Sequence, residues 1–499
     1  MPFNSLDFAI FFLIFYLPYL ALLKVHRLQN LWLLAASYVF YAFWDWRFLV
    51  VLLAMTAVTY LLGLAIGAQG ALSSTKSRLR RLLLPAGLLF NLGVLVIFKY
   101  ADFFSAGLLR FFNRLDLPFD TLLADIILPV GLSFYALQAS SYLLDVSARR
   151  IPPSRDLLEF SLFVSFFPQL LAGPIERAGR MLPQFHAPRQ LTPASVSAGI
   201  YLLFSGFFKK LVMADNLGLI IAPVFDNITA YSGIDLLLAV LAFTFQLYAD
   251  FSAYSDIARG LARLLGFELM VNFRLPYFST SPSDFWARWH ISLSEWLRDY
   301  IFFPLRRLLL RWKGQAGKLA ALLVPPILTM LVSGLWHGTG WNFLLWGFYH
   351  GLLLVLFQLL VKERPQLSSE QSPPGQGAGL GRLWSWIRPR FITTVRVSIM
   401  FLLVSFGWLI FRVESSDQFT YFLSHLSLQP STGSALLWGN LVLFTLPLFV
   451  VQLVQQGSGD LLVLARLPFG LRTLLYAVTL ALMVALGVRQ AAEFIYVQF

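Results

Sequence analysis

The chain has 499 residues, of which 58% are hydrophobic and only 13% charged, with a mean hydropathy of +0.71. That balance excludes an ordinary soluble domain and leaves a polytopic membrane protein. Lys and Arg exceed Asp and Glu by 13, but the basic residues fall between apolar runs, as cytoplasmic loops require, with no basic stripe of interleaved aromatics outside them, so nucleic acid is not expected as a partner. With no cysteine, disulfides, thiolate metal sites and an S-acyl-cysteine intermediate are all ruled out.

A bilayer span needs about 20 apolar residues. Runs of roughly that length are expected near 8–23, 31–46, 48–67, 82–98, 122–144, 157–173, 196–213, 234–250, 318–336, 341–361, 392–411, 436–454 and 470–488. The fold class is therefore all-α, with roughly 11–13 membrane helices, some re-entrant or interfacial. The first run lacks a charged n-region and a small-residue cleavage site, so it is expected to stay as a membrane helix. Basic residues mark the first loop (Lys24, Arg27), the third (Lys76, Arg78, Arg80, Arg81) and the fifth (Arg149, Arg150, Arg155). The bias of such residues toward the cytoplasm places these loops inside and the N-terminus outside.

Several stretches are too polar or too rich in Pro and Gly for a plain lipid-facing helix. They are Asn91 with Lys99 to Asp102, Leu128-Pro129-Val130-Gly131, and Phe167-Pro168-Gln169 with Ala172 to Arg177. Irregular backbone at membrane depth survives when it is buried in protein or lines a wet cavity. These runs therefore suggest a chain folded around an internal space, and an interfacial turn at each is the alternative. Further on, Gln246 to Asp256 sets Asp250, Tyr254, Ser255 and Asp256 where an apolar run ends. Carboxylates there are costly unless they face a polar interior or the interface, so the stretch is either a site for an alcohol-rich ligand or an interfacial cap.

From Asp284 to Trp346 the chain concentrates three of its six histidines, if His350 just beyond is counted with His290 and His337. Read as one continuous helix, Phe285 to Ile301 would put Trp286, Trp289, Leu293, Trp296 and Tyr300 on one side. Asp284, Arg288, Ser292, Glu295 and Asp299 would lie on the other, with His290 nearly opposite the charged face. The Trp stripe is then expected at the cytoplasmic headgroup level, with Arg288, Arg298 and Asp299 toward water or a donor entrance. A basic exit (Arg306, Arg307, Arg311, Lys313) precedes an apolar run ending in Ser333-Gly334-Leu335-Trp336-His337-Gly338. A second run carries Asn342 and His350. Residues 362–390 are breaker-rich and read as a flexible linker between a core at 1–361 and C-terminal helices at 391–499, all within one membrane domain. Gly407 to Arg412 is expected to end a span at an aromatic and basic interface.

Common catalytic signatures are absent: no G-x-S-x-G elbow, no Walker phosphate loop, no H-E-x-x-H helix. Histidine remains, since an imidazole can be neutral inside a bilayer and still exchange a proton near pH 7. His337, beside a glycine break, is either a general base that removes a hydroxyl proton during acyl transfer or a helix-end histidine satisfied by a carbonyl. Its pairing with His290 favours the first. His26, His186 and His425 sit in or beside polar loops.

The chain resembles the membrane-bound O-acyltransferase family, and within it the bacterial branch that serves alginate O-acetylation. The match is carried by Phe285 to Tyr300 and by Gly334-Leu335-Trp336-His337-Gly338 followed by Trp346 to Gly351. Tyr248 to Ile257, Gly173 to Arg177, Ala36 to Ala42 and Gly407 to Arg412 support it. The resemblance implies a multi-helix protein with a tunnel through a thinned membrane centre, in the bacterial cytoplasmic (inner) membrane. It implies that His337 is the catalytic histidine and His290 the second site residue, with Trp336, Asp250, Tyr254, Ser255, Asp256, Arg288, Arg298, Asp299, Asn342 and His350 as candidate substrate contacts. It further implies no metal and no bound cofactor, a thioester donor (acetyl-CoA or an acylated phosphopantetheine carrier), and an extracytoplasmic polysaccharide modified together with a periplasmic acetyltransferase. Transfer to another cell-wall polymer, a lipid or a protein is the alternative within the class. A proton-coupled transporter is the alternative outside it, although the inverted repeats that would favour one are missing.

Overall fold

The computed structural model describes residues 1–68, 76–113, 127–361, 380–431, 433–488 and 494. The described residues are helical, with no strand among them. Nine of their helices are long and apolar enough to cross a membrane, from Trp46–Gly67 to Phe469–Leu486. Others expected to span are shorter: Leu6–Ala21 has 16 residues, and in the run at 122–144 the described residues 127–131 are not helical and a helix starts at Leu132, after Gly131 with a left-handed φ of 79°. The run at 157–173 breaks at Phe166 into Leu157–Ser165 and Phe167–Leu170. Residues 171–176, including the non-helical Gly173-Pro174, are buried in protein, the condition under which irregular backbone persists at such depth. Most of the expected linker, 362–379, lies outside the described residues, as do 122–126. Residues 380–390 open the Leu380–Arg412 helix.

Helix starts follow local chemistry. The side chains of Ser5, Asp45, Asp156, Thr192, Ser281 and Ser415 each accept a hydrogen bond from a backbone N–H of the first turn, which satisfies donors the helix itself leaves open.

The chain forms two compact units. The first comprises 1–216, 246–271 and 457–499. Its N-terminal part is an aromatic slab in which Phe167 meets Phe8, Phe11, Phe15 and Phe40. Buried polar groups stitch it together: Tyr19 donates to the Leu265 carbonyl at 2.6 Å, Asn30 to the Phe185 carbonyl at 3.0 Å, and the Met270 N–H to Glu176 at 2.5 Å.

A charged knot sits deeper in the same unit. The Pro193–Phe208 helix continues into a π-helical stretch, Lys209–Ala214. There, Lys210 Nζ lies 2.9 Å from Asp215 and 2.8 Å from Asp250, all three buried. Lys209 Nζ lies 2.8 Å from Asp256 and 2.9 Å from Ser252 Oγ, and Arg259 approaches Asp256 at 3.4 Å. Three cations and three carboxylates thus balance, as burial of charge demands.

The second unit comprises 217–245 and 272–456. Its centre is the antiparallel pair Gly314–His337 and Trp341–Leu360. A methyl group on Gly334 would overlap the Phe343 carbonyl, and one on Gly347 the Met330 carbonyl. Two glycines therefore let these helices touch backbone to backbone, which brings the ends that carry His337 and Trp346 together.

Candidate active site

The expected continuous helix at 285–301 is not formed. Pro282–Trp286 ends after five residues, and Ile291–Leu297 begins after His290, whose φ of 41° is left-handed. The segment at 272–274 causes the break by drawing hydrogen bonds away from the helix. Arg274 N–H donates to the Arg288 carbonyl at 3.0 Å, Ile291 N–H to the Asn272 carbonyl at 2.9 Å, and Ser292 Oγ to Asn272 Oδ1 at 2.7 Å. A residue other than glycine held at positive φ carries strain. Here that strain aims His290 into protein, where it is 1% exposed.

The interfacial reading of the Trp stripe is corrected too. Trp289 and Trp296 are buried and Trp286 is half-buried. Trp289 packs against Phe273, Phe285 and Trp408, with ring centroids 5.0, 5.7 and 4.7 Å away. Ser292 is likewise buried rather than on a wet face. With the helix broken, the 100° wheel that sorted these residues no longer applies.

Around His337 the walls are aromatic. Its ring centroid lies 4.9 Å from Trp336, 5.3 Å from Trp346 and 5.3 Å from Phe411, all edge to face, and the residue is 3% exposed. His290 meets Trp336 at 5.9 Å. A single indole therefore touches both imidazoles, and their separation cannot exceed the sum of those two contacts. Burial pushes the His290 imidazole down to about 3, because the low-dielectric surroundings disfavour the imidazolium. His290 is thus a neutral group at physiological pH.

His350 is completely buried among Trp286, Trp346, Tyr349 and Trp408, at 5.2, 5.1, 5.3 and 6.3 Å. The close approach of the Leu380–Arg412 helix needs Gly407, since a Cβ there would stand 2.6 Å from His350 Nε2. Trp408 and Phe411 are 0% and 3% exposed. They line this chamber rather than an interface, which corrects the reading of Gly407 to Arg412. Asn342 Nδ2 donates to the Phe411 carbonyl at 2.8 Å. That bond ties the start of one helix to the end of another and positions the wall of His337.

The charged candidates sit at the edge of this unit. Arg288 pairs with Asp284 at 2.6 Å, and Arg298 with Asp299 at 3.0 Å and Glu295 at 3.8 Å, all partly exposed. Partly exposed pairs add little stability. Glu295 and Arg298 do line a cavity of about 390 Å³, together with Trp286, Ser294, Thr329, Met330 and Gln358. Trp286 thus both lines this cavity and packs against His350.

Asp250, Tyr254, Ser255 and Asp256 belong to the first unit. Asp250 and Asp256 are held by Lys210 and Lys209, while Tyr254 and Ser255 are buried, Tyr254 against the Phe3 and Phe494 rings. Sequence reasoning missed Lys209, Lys210 and Asp215. A signal existed, because two adjacent lysines inside an apolar run require buried anions. It also missed Phe285, Trp408 and Phe411 as chamber walls, since aromatics in apolar runs look alike until packed. Among the described residues no group of three or more His, Asp or Glu side chains could hold a metal ion.

Chemically, neutral imidazoles walled by aromatic rings can accept a proton from a hydroxyl. They cannot keep it cheaply, because burial in low-dielectric surroundings disfavours the imidazolium. That suits transient general-base work.

Comparisons with known proteins identify the family. The family model described as MBOAT, membrane-bound O-acyltransferase family, matches residues 88–387. The chain is 39% identical over 421 residues to a probable alginate O-acetylase of Azotobacter vinelandii, covering 84% of this chain and 76% of that protein. A probable alginate O-acetylase of Pseudomonas aeruginosa is 38% identical, with 83% and 72% covered. A peptidoglycan O-acetyltransferase of Helicobacter pylori is 36% identical, with 65% and 63% covered.

Proposed function

Because this chain belongs to the membrane-bound O-acyltransferase family, we propose that it transfers an acetyl group from a cytoplasmic thioester for O-acetylation of an exported polysaccharide such as alginate. The work is done in the bacterial cytoplasmic membrane. The acetyl group passes to the polymer hydroxyl or to a periplasmic acetyltransferase that completes the transfer. The observation that carries this reading is the buried imidazole pair sharing Trp336.

In the transfer, His337 takes the proton of the attacking hydroxyl as its oxygen bonds to the thioester carbonyl carbon. The carbon–sulfur bond then breaks, and the proton passes from His337 to the leaving thiolate. No net charge is left in the aromatic chamber. His290, neutral and held by its strained backbone, positions the carbonyl or the incoming hydroxyl. Trp336 keeps the two imidazoles in register. With no cysteine in the chain, the acyl group moves directly or through an oxygen or nitrogen nucleophile. The basic run Arg306, Arg307, Arg311 and Lys313 marks the cytoplasmic end of the Gly314–His337 helix. The cavity against that helix, lined by Arg298, is the donor's way in, and the basic run attracts the phosphates of CoA or a phosphopantetheine carrier to the same end of the helix.

The test is transfer from a labelled acetyl thioester supplied to the cytoplasmic face of liposomes, without an imposed pH gradient. Wild-type protein consumes the thioester, and His337→Ala at equal membrane abundance does not. Turnover above a few per cent of wild type in the variant removes His337 from the mechanism. Solute movement that requires a proton gradient, with no thioester consumed, replaces the whole reading by a transporter.

A further inference from the structure

Three buried polar residues lie on one face of the Gly314–His337 helix at four-residue spacing: Thr329, Ser333 and His337, exposed by 7%, 1% and 3%. Residues four apart stack one above the other on a helix. Serine and threonine in apolar helices commonly give their O–H to the carbonyl one turn back. In this protein Thr56, Thr244, Ser405 and Thr445 do so, at 2.7 to 2.8 Å. Thr329 Oγ1 and Ser333 Oγ do not, and neither buried hydroxyl has a hydrogen-bond partner among the described residues. A buried hydroxyl left this way is costly because its desolvation is not offset, so two in succession on the face that carries His337 call for a ligand. Thr329 also lines the 390 Å³ cavity with Glu295 and Arg298.

Four residues of α-helix advance about 6 Å and eight about 12 Å. These are the intervals from His337 back to Ser333 and to Thr329. In an extended pantetheine arm the first amide carbon lies five bonds from the thioester carbonyl carbon and the second nine, about 6 and 11 Å at the rise per bond of an extended chain. Resting on the acyltransferase reading above, we propose that Ser333 and Thr329 are positioning residues that grip, in turn, the first and second amides of a pantetheine thioester, setting its carbonyl at His337. The ligand class is then an acyl thioester with amides at this spacing, which CoA and a phosphopantetheine carrier share.

The experiment is a donor series on the full-length protein in liposomes: S-acetyl-pantetheine with two amides, S-acetyl-N-acetylcysteamine with one, and an S-acetyl alkanethiol with none. Ser333→Ala is expected to raise KM about tenfold, the value of one hydrogen bond, for the first two donors and to leave the third unchanged. Thr329→Val is expected to raise KM for the first donor alone. In both variants kcat at saturation holds, and Ser333→Thr and Thr329→Ser keep wild-type KM. Acetyl-CoA and an acetylated carrier protein run in parallel identify the source of the arm, which is the one whose KM both variants raise. Equal shifts across all three donors, no shift, or a rise in the acceptor's KM instead overturns the grip while leaving the transferase standing. Wild-type protein that consumes no thioester overturns both.

Discussion

Lys210→Met tests whether the polar residues near the end of the 246–256 stretch serve the fold or a ligand. Lys210 Nζ is shared by Asp215 and Asp250 at 2.9 and 2.8 Å, and all three side chains are no more than 3% exposed. Solvent therefore screens little of the interaction. Removing the lysine strands two carboxylates, and breaking a buried pair costs about 3–5 kcal/mol, whereas replacing every member by neutral groups is close to neutral. Asp250→Asn leaves the Lys210–Asp215 pair in place and removes one charge-assisted hydrogen bond, about 1.5–3 kcal/mol. In thermal unfolding of the purified protein in detergent, the ranking is expected to be Lys210→Met lowest, Asp250→Asn intermediate, and the triple variant Lys210→Met/Asp215→Asn/Asp250→Asn near wild type. Donor and acceptor KM should stay constant wherever folded protein is recovered. The reasoning is refuted if Asp250→Asn melts like wild type and raises a substrate KM, or if the triple variant is no more stable than Lys210→Met.

Three further outcomes follow from the geometry. His290→Asn keeps a residue that tolerates the left-handed backbone, so the variant should fold and lose most of its rate. Because His290, depressed to about 3, stays neutral above pH 5, the surviving activity should keep the wild-type pH profile, and an acid limb that vanished would show that His290 titrates. Gly407→Ala forces a methyl group to 2.6 Å from His350 Nε2. Such overpacking should cost about 1–3 kcal/mol in unfolding measurements, and an unchanged melting temperature would mean the helices are looser than drawn. Glu176, fully buried and raised to about 7 by desolvation, holds a proton in the folded state that the unfolded carboxyl gives up near its ordinary value. Its contribution to stability therefore falls as pH rises from about 4.5 to 7, by about 3 kcal/mol in all. Glu176→Gln should flatten the decline of melting temperature up to pH 7, and an identical slope in the two proteins would rule the linkage out.

The sequence by itself determined the class, most of the membrane helices and the two histidines proposed for the site. Apolar runs of bilayer length, capping side chains and the absence of cysteine are local facts, and the histidine motifs stood out because polar residues inside such runs are rare and costly. What it could not supply was the path of the chain between those motifs. The 285–301 wheel failed because residues 272–274 take the hydrogen bonds that would have continued the helix, and a periodicity argument does not include competition from a distant segment. Trp289, Trp408 and Phe411 read as interfacial because indoles and phenyls suit headgroups and cores alike. Packing around His337 and His350 decided the matter, through glycines whose missing side chains allow the helices to close. Asp250 and Asp256 read in the sequence as ligand contacts or an interfacial cap, without a named ion partner, because Lys210 and Lys209 lie 40 and 47 residues earlier. Only the tertiary fold brings those charges within 3 Å, where the low dielectric makes pairing obligatory.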